Sequence, residues 1–219
     1  MSGLRGFAGR KRRPRRPWPF AIIGLTGSIA MGKSTASAML SRLNWPVFDS
    51  DAAVHRLMSP GGAALQPIAK VFDNVVGPGG VDRAALGKAV FGNPTALARL
   101  EAIVHPMVSA ARHGFLLQAA LNRRKAVVLD VPLLFETIRE RSYDVIVVVT
   151  APAFLQHQRA MARPGMTPAR LKSILSRQTP DHIKRRLGDL VVPSGLGKRE
   201  ALRRLLTLRK VIASHTSTD

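Results

Sequence analysis

Nine residues near the beginning of the chain have the composition and spacing of a phosphate-binding loop. They read G-S-I-A-M-G-K-S-T from Gly27 to Thr35. In such a turn, successive backbone N–H groups point into one concavity, and the positive end of the following helix dipole points the same way. Lys33 would contact the β- and γ-phosphates of a nucleoside triphosphate, and the Ser34 hydroxyl would bind Mg²⁺. The residues predicted to bind ATP are Gly27, Ala30, Met31, Gly32, Lys33, Ser34 and Thr35.

The segments on both sides of this loop support the interpretation. Residues 21–26 are an apolar run that predicts a buried strand, and Ala36, Leu40 and Leu43 recur at helical spacing after the loop. A strand, a glycine-rich turn, a lysine and a helix are together the context in which the motif binds phosphate. A glycine-rich turn without a ligand would leave the glycine–lysine–serine spacing to coincidence.

Two carboxylates after the next predicted strand are candidates for the acceptor side of a reaction. Asp49 and Asp51 follow the apolar pair Val47 and Phe48. In an extended segment, residues two apart point to the same side, and ligands bind beyond the carboxyl ends of strands in open α/β sheets. Asp51 could orient and deprotonate an attacking hydroxyl. It could equally be the N-cap of a helix that starts at Ala52, and the residues leave both interpretations open.

Further charged residues suit a nucleotide site. Asp130 follows the apolar run 126–129. The carboxylate that holds Mg²⁺ in a Walker B strand has the same position at the end of an apolar strand. Arg159 and Arg163 are four residues apart on a predicted helix that begins at Pro152. Like charges at this spacing destabilise a helix by roughly 0.2–0.5 kcal/mol, which a polyphosphate lying between them would offset. Two unrelated solvated arginines are the alternative.

The order of these elements predicts an α/β fold of the P-loop NTPase type, with a parallel sheet in three layers. Residues 20–215 form the predicted kinase domain, and the segment 59–124 has too much helix for a simple crossover between strands. It is interpreted as an inserted helical lobe for the acceptor substrate. The segment of about 153–180, two helices joined by a Gly/Pro tip, resembles a lid over ATP.

Composition limits the classes of function. The 219 residues include no cysteine, and no run of about 18 apolar residues is present, so the simplest expectation is a cytoplasmic protein that does not enter a membrane. The net charge is +21, and residues 1–19 form a predicted disordered basic arm, while 216–219 form a tail. Nucleic-acid contact by the arm is physically possible; a solvated tail or an upstream start codon is favoured. Oligomeric state is not predicted.

Several segments occur together in one order and spacing. They are Gly24–Gly27 running into Gly32–Thr35, Asp49–Asp51, Gly80–Arg83 with Leu86 and Val90-Phe91, His105-Pro106, Val131–Glu136, and the residues Arg159, Arg163 and Gln178. Through them the chain resembles the dephospho-CoA kinases, a family of P-loop small-molecule kinases, over roughly residues 21–210.

The resemblance implies transfer of the γ-phosphoryl group of ATP, with Mg²⁺, to the ribose 3′-hydroxyl of dephospho-CoA. The products would be CoA and ADP, in the last step of coenzyme A biosynthesis. It assigns Asp51 the role of general base and makes Lys33, Arg159 and Arg163 catalytic. Asp49, Asp51, Arg83 and His105 become candidates for binding the acceptor, and Ser34 and Asp130 for holding the metal.

Three positions depart from the family pattern. Ala30 stands where a glycine is usual, so the local backbone must accommodate a Cβ atom. Pro164 replaces an aspartate, and Val192-Pro193 replaces an Asp-Asn pair before the final turn. Another P-loop kinase would share the loop and the lid but lack the Asp-Ser-Asp and His-Pro pattern. A nucleic-acid-binding NTPase would need basic residues interleaved with aromatics, and the chain has one Tyr and two Trp.

Overall fold

The computed structural model of the protein describes residues 18–136 and 143–216. Most of the predicted basic arm (1–17) and most of the predicted tail (217–219) lie outside the described residues. Contacts divide the chain into two compact units. The first contains the chain up to Val47 and from Asn122 onward, and the second is Phe48–Leu121. The predicted lobe has different bounds, 59–124, and its role in binding the acceptor stays a prediction.

The described residues form seven strands and ten helices. The strands are β1 (Ala21–Thr26), β2 (Val47–Asp49), β3 (Val76–Gly77), β4 (Gly80–Val81), β5 (Ala126–Asp130), β6 (Val145–Thr150) and β7 (Leu190–Pro193). The helices are α1 (Lys33–Arg42), α2 (Ser50–Met58), α3 (Leu65–Ala69), α4 (Arg83–Val90), α5 (Pro94–Leu121), α6 (Ala153–Met161), α7 (Pro168–Ser176), α8 (Asp181–Leu187), α9 (Lys198–Leu206) and α10 (Leu208–Thr216).

The larger sheet has five strands in the order β2-β5-β1-β6-β7. β1 pairs in parallel with β5 and β6, and β6 pairs in parallel with β7. Every residue of β1, β5 and β6 is buried, as expected for parallel strands whose two faces are both covered. The predicted α/β fold with a parallel sheet is confirmed.

Alternate residues of the strands build the larger core on one face of the sheet. Ile23, Val128 and Val147 belong to this core with Leu40 of α1 and Leu205 of α9. The last part of the described chain forms two helices, α9 and α10, because the chain turns at Thr207, whose hydroxyl donates to the Arg204 carbonyl.

The second unit is mostly helical, but it also contains a short β-hairpin that the sequence interpretation omitted. β3 and β4 pair antiparallel across the Gly77–Gly80 turn. Asp82 is the N-cap of the next helix, and its carboxylate accepts hydrogen bonds from the N–H groups of Ala84 and Ala85.

His105-Pro106 does not end a helix, although a proline inside a helical pattern usually does. α5 runs without a break for 28 residues and contains Pro106. A proline inside a helix removes one hydrogen bond and strains the preceding turn, so other interactions must hold the helix together at this point. Val104 on one side and Met107 and Val108 on the other pack into a core that α5 shares with α2, α3 and α4. Burial of these apolar side chains offsets the local loss.

No helix among the described residues is both long enough and apolar enough to cross a membrane.

Candidate active site

The glycine-rich loop connects β1 to α1, as predicted. Gly32 is the N-cap of α1 and has a φ of 88°, a left-handed conformation that favours glycine. A Cβ atom there would lie 2.9 Å from the Ser194 hydroxyl oxygen. Lys33 and Ser34 begin the helix, so their N–H groups precede the first intrahelical acceptors and can donate to a ligand. This is the arrangement that holds phosphate oxygens at a helix N-terminus.

Ala30 has a left-handed backbone with a φ of 60°, which a residue other than glycine adopts at a cost of about 1–2 kcal/mol. The side chain is nonetheless buried, in a cluster with Ala160 of α6 and Leu171 of α7. The Cβ atom that distinguishes this loop from the family pattern therefore has packing partners.

Lys33 and Asp130 lie together in the structure. The Lys33 ammonium forms an ion pair and a short hydrogen bond with the Asp130 carboxylate. Asp130 is the last residue of β5 and pairs with Leu25 of β1, so Asp130 lies near the carboxyl edge of the sheet. The Asp130 side chain is 2% exposed and the Lys33 side chain 16%. A buried carboxylate therefore lies beside the lysine that the sequence assigned to the phosphates.

Asp130 and Ser34 also suit the predicted metal. A carboxylate and a hydroxyl are the hard oxygen donors that Mg²⁺ prefers, and this ion usually keeps several waters and uses few protein ligands. The donor set therefore fits Mg²⁺ bound together with substrate phosphates. Among the described residues, no group of three or more His, Asp or Glu side chains could hold a metal by itself.

Arg159 of α6 contacts the loop after β7. Its guanidinium donates to the Ser194 hydroxyl at 2.9 Å and to the Ser194 carbonyl at 3.1 Å. The same hydroxyl donates to the Met31 carbonyl in the phosphate-binding loop at 2.7 Å. Arg159 is thus linked through one serine to the loop that it was predicted to assist.

Arg163 does not share a helical face with Arg159, and that part of the prediction is wrong. α6 ends at Met161, and Arg163 lies exposed in the turn before Pro164 and Gly165. The residue before a proline avoids the helical region, so the helix stops before it reaches the second arginine. An argument from repulsion along one helix therefore does not apply, and a catalytic role for Arg163 stays a prediction.

Asp49, the last residue of β2, and Asp51 belong to the second unit and differ in structure. Asp49 is the N-cap of α2 and accepts a hydrogen bond from the Ala52 N–H at 2.9 Å. Asp51 lies in the first turn of α2 and is exposed. The alternative that Asp51 caps the helix is therefore wrong. The expectation of an extended segment with both carboxylates on one side is also wrong, because the helix begins at Ser50.

The other predicted acceptor-side residues also lie in the second unit. Arg83 is the first residue of α4, and His105 precedes Pro106 inside α5. Both side chains are exposed. Their predicted contact with the acceptor stays a prediction.

Further side chains contact the loop and the chain beside it, and of these Gln178 and Glu136 were among the residues that carry the family resemblance. Gln156 of α6 and Gln178 after α7 both form hydrogen bonds with the backbone of Ile29. Glu136 accepts a hydrogen bond from the Thr179 N–H at 2.7 Å and pairs with the fully buried Lys184 at 3.0 Å. The Glu136 carboxylate therefore anchors the chain that leaves α7.

Comparison with known proteins points to one family of kinases. The family model for dephospho-CoA kinase matches residues 21–197. A dephospho-CoA kinase from Rhodospirillum rubrum is 55% identical over 185 residues, which cover 84% of this chain and 88% of the relative. A crystal structure of a Thermus thermophilus protein has a TM-score of 0.73 at 35% identity, covering 90% of this chain and 98% of that one.

A structure of dephospho-CoA kinase from Campylobacter jejuni has the same fold, with a TM-score of 0.62 at 22% identity over 88% of this chain and 97% of its own. The parallel sheet, the glycine-rich loop and the Lys33–Asp130 pair define a P-loop kinase. The chain belongs to the dephospho-CoA kinase family.

Proposed function

We propose that the protein transfers the γ-phosphoryl group of ATP to the ribose 3′-hydroxyl of dephospho-CoA, forming CoA and ADP in the last step of coenzyme A biosynthesis. The observation that carries this proposal is a phosphate-binding loop, with Lys33 beside Asp130, in a chain of the dephospho-CoA kinase family. The reaction breaks the bond between the γ-phosphorus and its bridging oxygen and forms a bond from that phosphorus to the ribose oxygen.

Asp51 is the proposed general base. Its carboxylate accepts the proton of the 3′-hydroxyl as the ribose oxygen attacks phosphorus. Two observations support the assignment: the side chain is exposed, and the cap of α2 is supplied by Asp49 instead. Asp51 is therefore available to a substrate without loss of the helix cap.

Positive charge from the first unit is proposed to stabilise the transferring group. Lys33 would exchange Asp130 for the β- and γ-phosphates, and the N–H groups at the start of α1 would donate to phosphate oxygens. Arg159 and Arg163 are the proposed additional cations, of which Arg159 already lies against the loop through Ser194. In a site from which water is excluded, such preorganised charge is worth more than in bulk solvent.

Ser34 and Asp130 are the proposed ligands of Mg²⁺. When bound, the ion would neutralise charge on the phosphates. Lys33 and Asp130 are in contact in the structure, so binding of the metal and the nucleotide would give each of them a new partner.

The acceptor is proposed to bind the second unit through Asp49, Arg83 and His105. Arg83 supplies a charge suited to the phosphates of dephospho-CoA, and all three side chains are exposed. We place the reaction in the cytoplasm, with no membrane partner. Contact of the basic arm with nucleic acid is not part of the proposal.

An acceptor screen tests the proposal. Purified protein with ATP and Mg²⁺ is given dephospho-CoA, shikimate, gluconate or a nucleoside monophosphate, and ADP release is measured. We expect dephospho-CoA to stimulate release and the other acceptors to have no effect. Stimulation by one of the others would assign the protein a different acceptor, and ATP hydrolysis that no acceptor changes would argue against a small-molecule kinase.

A further inference from the structure

The peptide groups of Ile29, in the middle of the phosphate-binding loop, are held by two amide side chains. The Ile29 N–H donates to Gln178 Oε1 at 3.1 Å, and Gln156 Nε2 donates to the Ile29 carbonyl at 2.9 Å. A backbone N–H can only donate and a carbonyl can only accept, so these partners determine which way each amide points. The two side chains therefore have opposite roles on one residue.

A third side chain holds the loop two residues further on. The Ser194 hydroxyl donates to the Met31 carbonyl at 2.7 Å, and Arg159 donates to the same hydroxyl at 2.9 Å. Ser194 therefore has its donor committed to the loop and its acceptor committed to Arg159. The backbone is fastened on both sides of the residue between Ile29 and Met31.

That residue is Ala30, whose φ of 60° is unfavourable for alanine. Its side chain packs against Ala160 and Leu171. An alanine leaves the left-handed region more readily than a glycine does when the surrounding contacts are lost. The hydrogen bonds to Ile29 and Met31 are thus the local interactions that oppose a change of backbone conformation at Ala30.

We propose that Gln156, Gln178 and Ser194 are positioning residues that hold the loop in its phosphate-binding conformation before ATP arrives, and that they compensate for alanine at position 30. They act through the loop backbone and need no contact with the nucleotide. A loop that is already ordered loses less conformational freedom on binding, so ATP binds more tightly. This inference rests on one part of the proposed function, namely that the loop binds ATP.

The proposal also assigns a function to helices that were predicted only as a lid. Gln156 comes from α6, and Gln178 follows the end of α7. Affinity for ATP would then depend on residues of this segment that never reach a phosphate.

Paired substitutions test the positioning role. Gln156→Leu and Gln178→Leu keep the approximate size of the side chain but remove the hydrogen bond. Each should weaken ATP binding by about three- to tenfold, measured by calorimetry with ATP and no acceptor. The KM for dephospho-CoA should stay within about twofold. Gln158→Leu is the matched control, because Gln158 is exposed on the same helix, and it should leave the affinity unchanged.

Substitution of Ala30 distinguishes a positioning role from a general loss of stability. Glycine adopts the left-handed conformation freely. Gln178→Leu should therefore weaken ATP binding less in an Ala30→Gly background than in the wild type, and the two fold-changes in affinity should differ by at least threefold. A double-mutant cycle measures this difference. Additive effects, or an unchanged ATP affinity in Gln156→Leu and Gln178→Leu, would overturn the proposal.

Ser194→Ala gives an independent route if a leucine variant does not fold, since it removes only a hydroxyl group. It should weaken ATP binding and show the same dependence on Ala30→Gly, and an additive result would again overturn the proposal. Because the measurements of ATP binding contain no acceptor, a failed acceptor screen would leave their outcome intact. The absence of any ATP binding by the wild-type protein would instead contradict both proposals.

Discussion

At the level of single residues, Asp49 and Asp51 have different roles. Both carboxylates occur in one short motif, yet only Asp49 accepts a hydrogen bond from the backbone at the start of α2. An N-cap of this kind typically contributes about 1 kcal/mol to stability. Asp51 makes no contribution of this sort and lies exposed. The structural role and the proposed catalytic role are therefore separable by mutation.

Asp51→Asn should lower kcat by about 100- to 10,000-fold, because an amide cannot accept the proton of the attacking hydroxyl. The affinity for ATP should remain within about twofold, since the substitution does not touch the phosphate-binding loop. Turnover is measured by ADP release, and ATP affinity by calorimetry. Asp73→Asn is the control, because it removes another exposed carboxylate of the second unit. Turnover near that of the wild type would exclude Asp51 as the base.

The residues around the loop show what a sequence can and cannot predict at this level. Lys33 was predictable because the spacing of the motif is local, and Asp130 because it ends an apolar strand. Gln156 and Ser194 were not predictable, since their partners are backbone carbonyls 127 and 163 residues away along the chain. Any side chain able to donate a hydrogen bond could make such a contact, so residue type alone does not indicate it.

At the level of elements, α5 shows packing that overrides a local signal. Pro106 predicts an end to the helix, and the structure continues the helix through it to Leu121. Residues on both sides of the proline, among them Val104 and Val108, pack into the core of the second unit. A continuous helix keeps all of these contacts, whereas a break at Pro106 would move one half away from its neighbours. His105, a proposed acceptor contact, is positioned by the same helix.

Pro106→Ala should therefore stabilise the second unit, by about 1–3 kcal/mol, because alanine restores a backbone donor inside the helix. Unfolding by urea measures the change. The KM for dephospho-CoA should rise if Pro106 positions His105, while ATP affinity stays the same. Pro94→Ala is the matched control: Pro94 is the first residue of α5, where no intrahelical partner is lost, and stability should change little. Lower stability in Pro106→Ala would show that the proline is favourable in this helix.

Other elements followed the sequence pattern closely. The burial of whole strands and the cap at Asp82 could both be predicted, because each depends on residues within one segment. The end of α6 at Met161 differs from the predicted helix that included Arg163, although Pro164, one residue after Arg163, is a local signal for that end. The break between α9 and α10 at Thr207 was not predictable, since the apolar spacing continues across it and Leu205 and Leu208 are both buried.

At the level of the whole molecule, charge is the property that the proposed reaction explains in part. The net charge is +21, and ATP and dephospho-CoA are both anions. A positive protein attracts such substrates, and salt weakens the attraction. Seven of the basic residues precede residue 18, before any acidic residue occurs, and they lie outside the part of the chain that the structure describes. The contribution of this arm can be separated from that of the kinase domain by truncation.

Deletion of residues 1–17 should leave kcat and both KM values within about twofold, because no proposed site residue is removed. The truncation should begin at Trp18 rather than later, since Trp18 stacks on Phe20 at 5.6 Å and Phe20 is buried beside the start of β1. The net charge falls from +21 to +14, because the deleted segment contains seven basic residues and no acidic one. The truncated protein should therefore elute from a polyanionic resin at lower salt.

Kinetic constants measured over a range of ionic strength complete the comparison. If the dependence of kcat/KM on salt is the same with and without the arm, the charge that attracts the substrates belongs to the kinase domain. A large loss of activity at low salt would show instead that the arm takes part in catalysis.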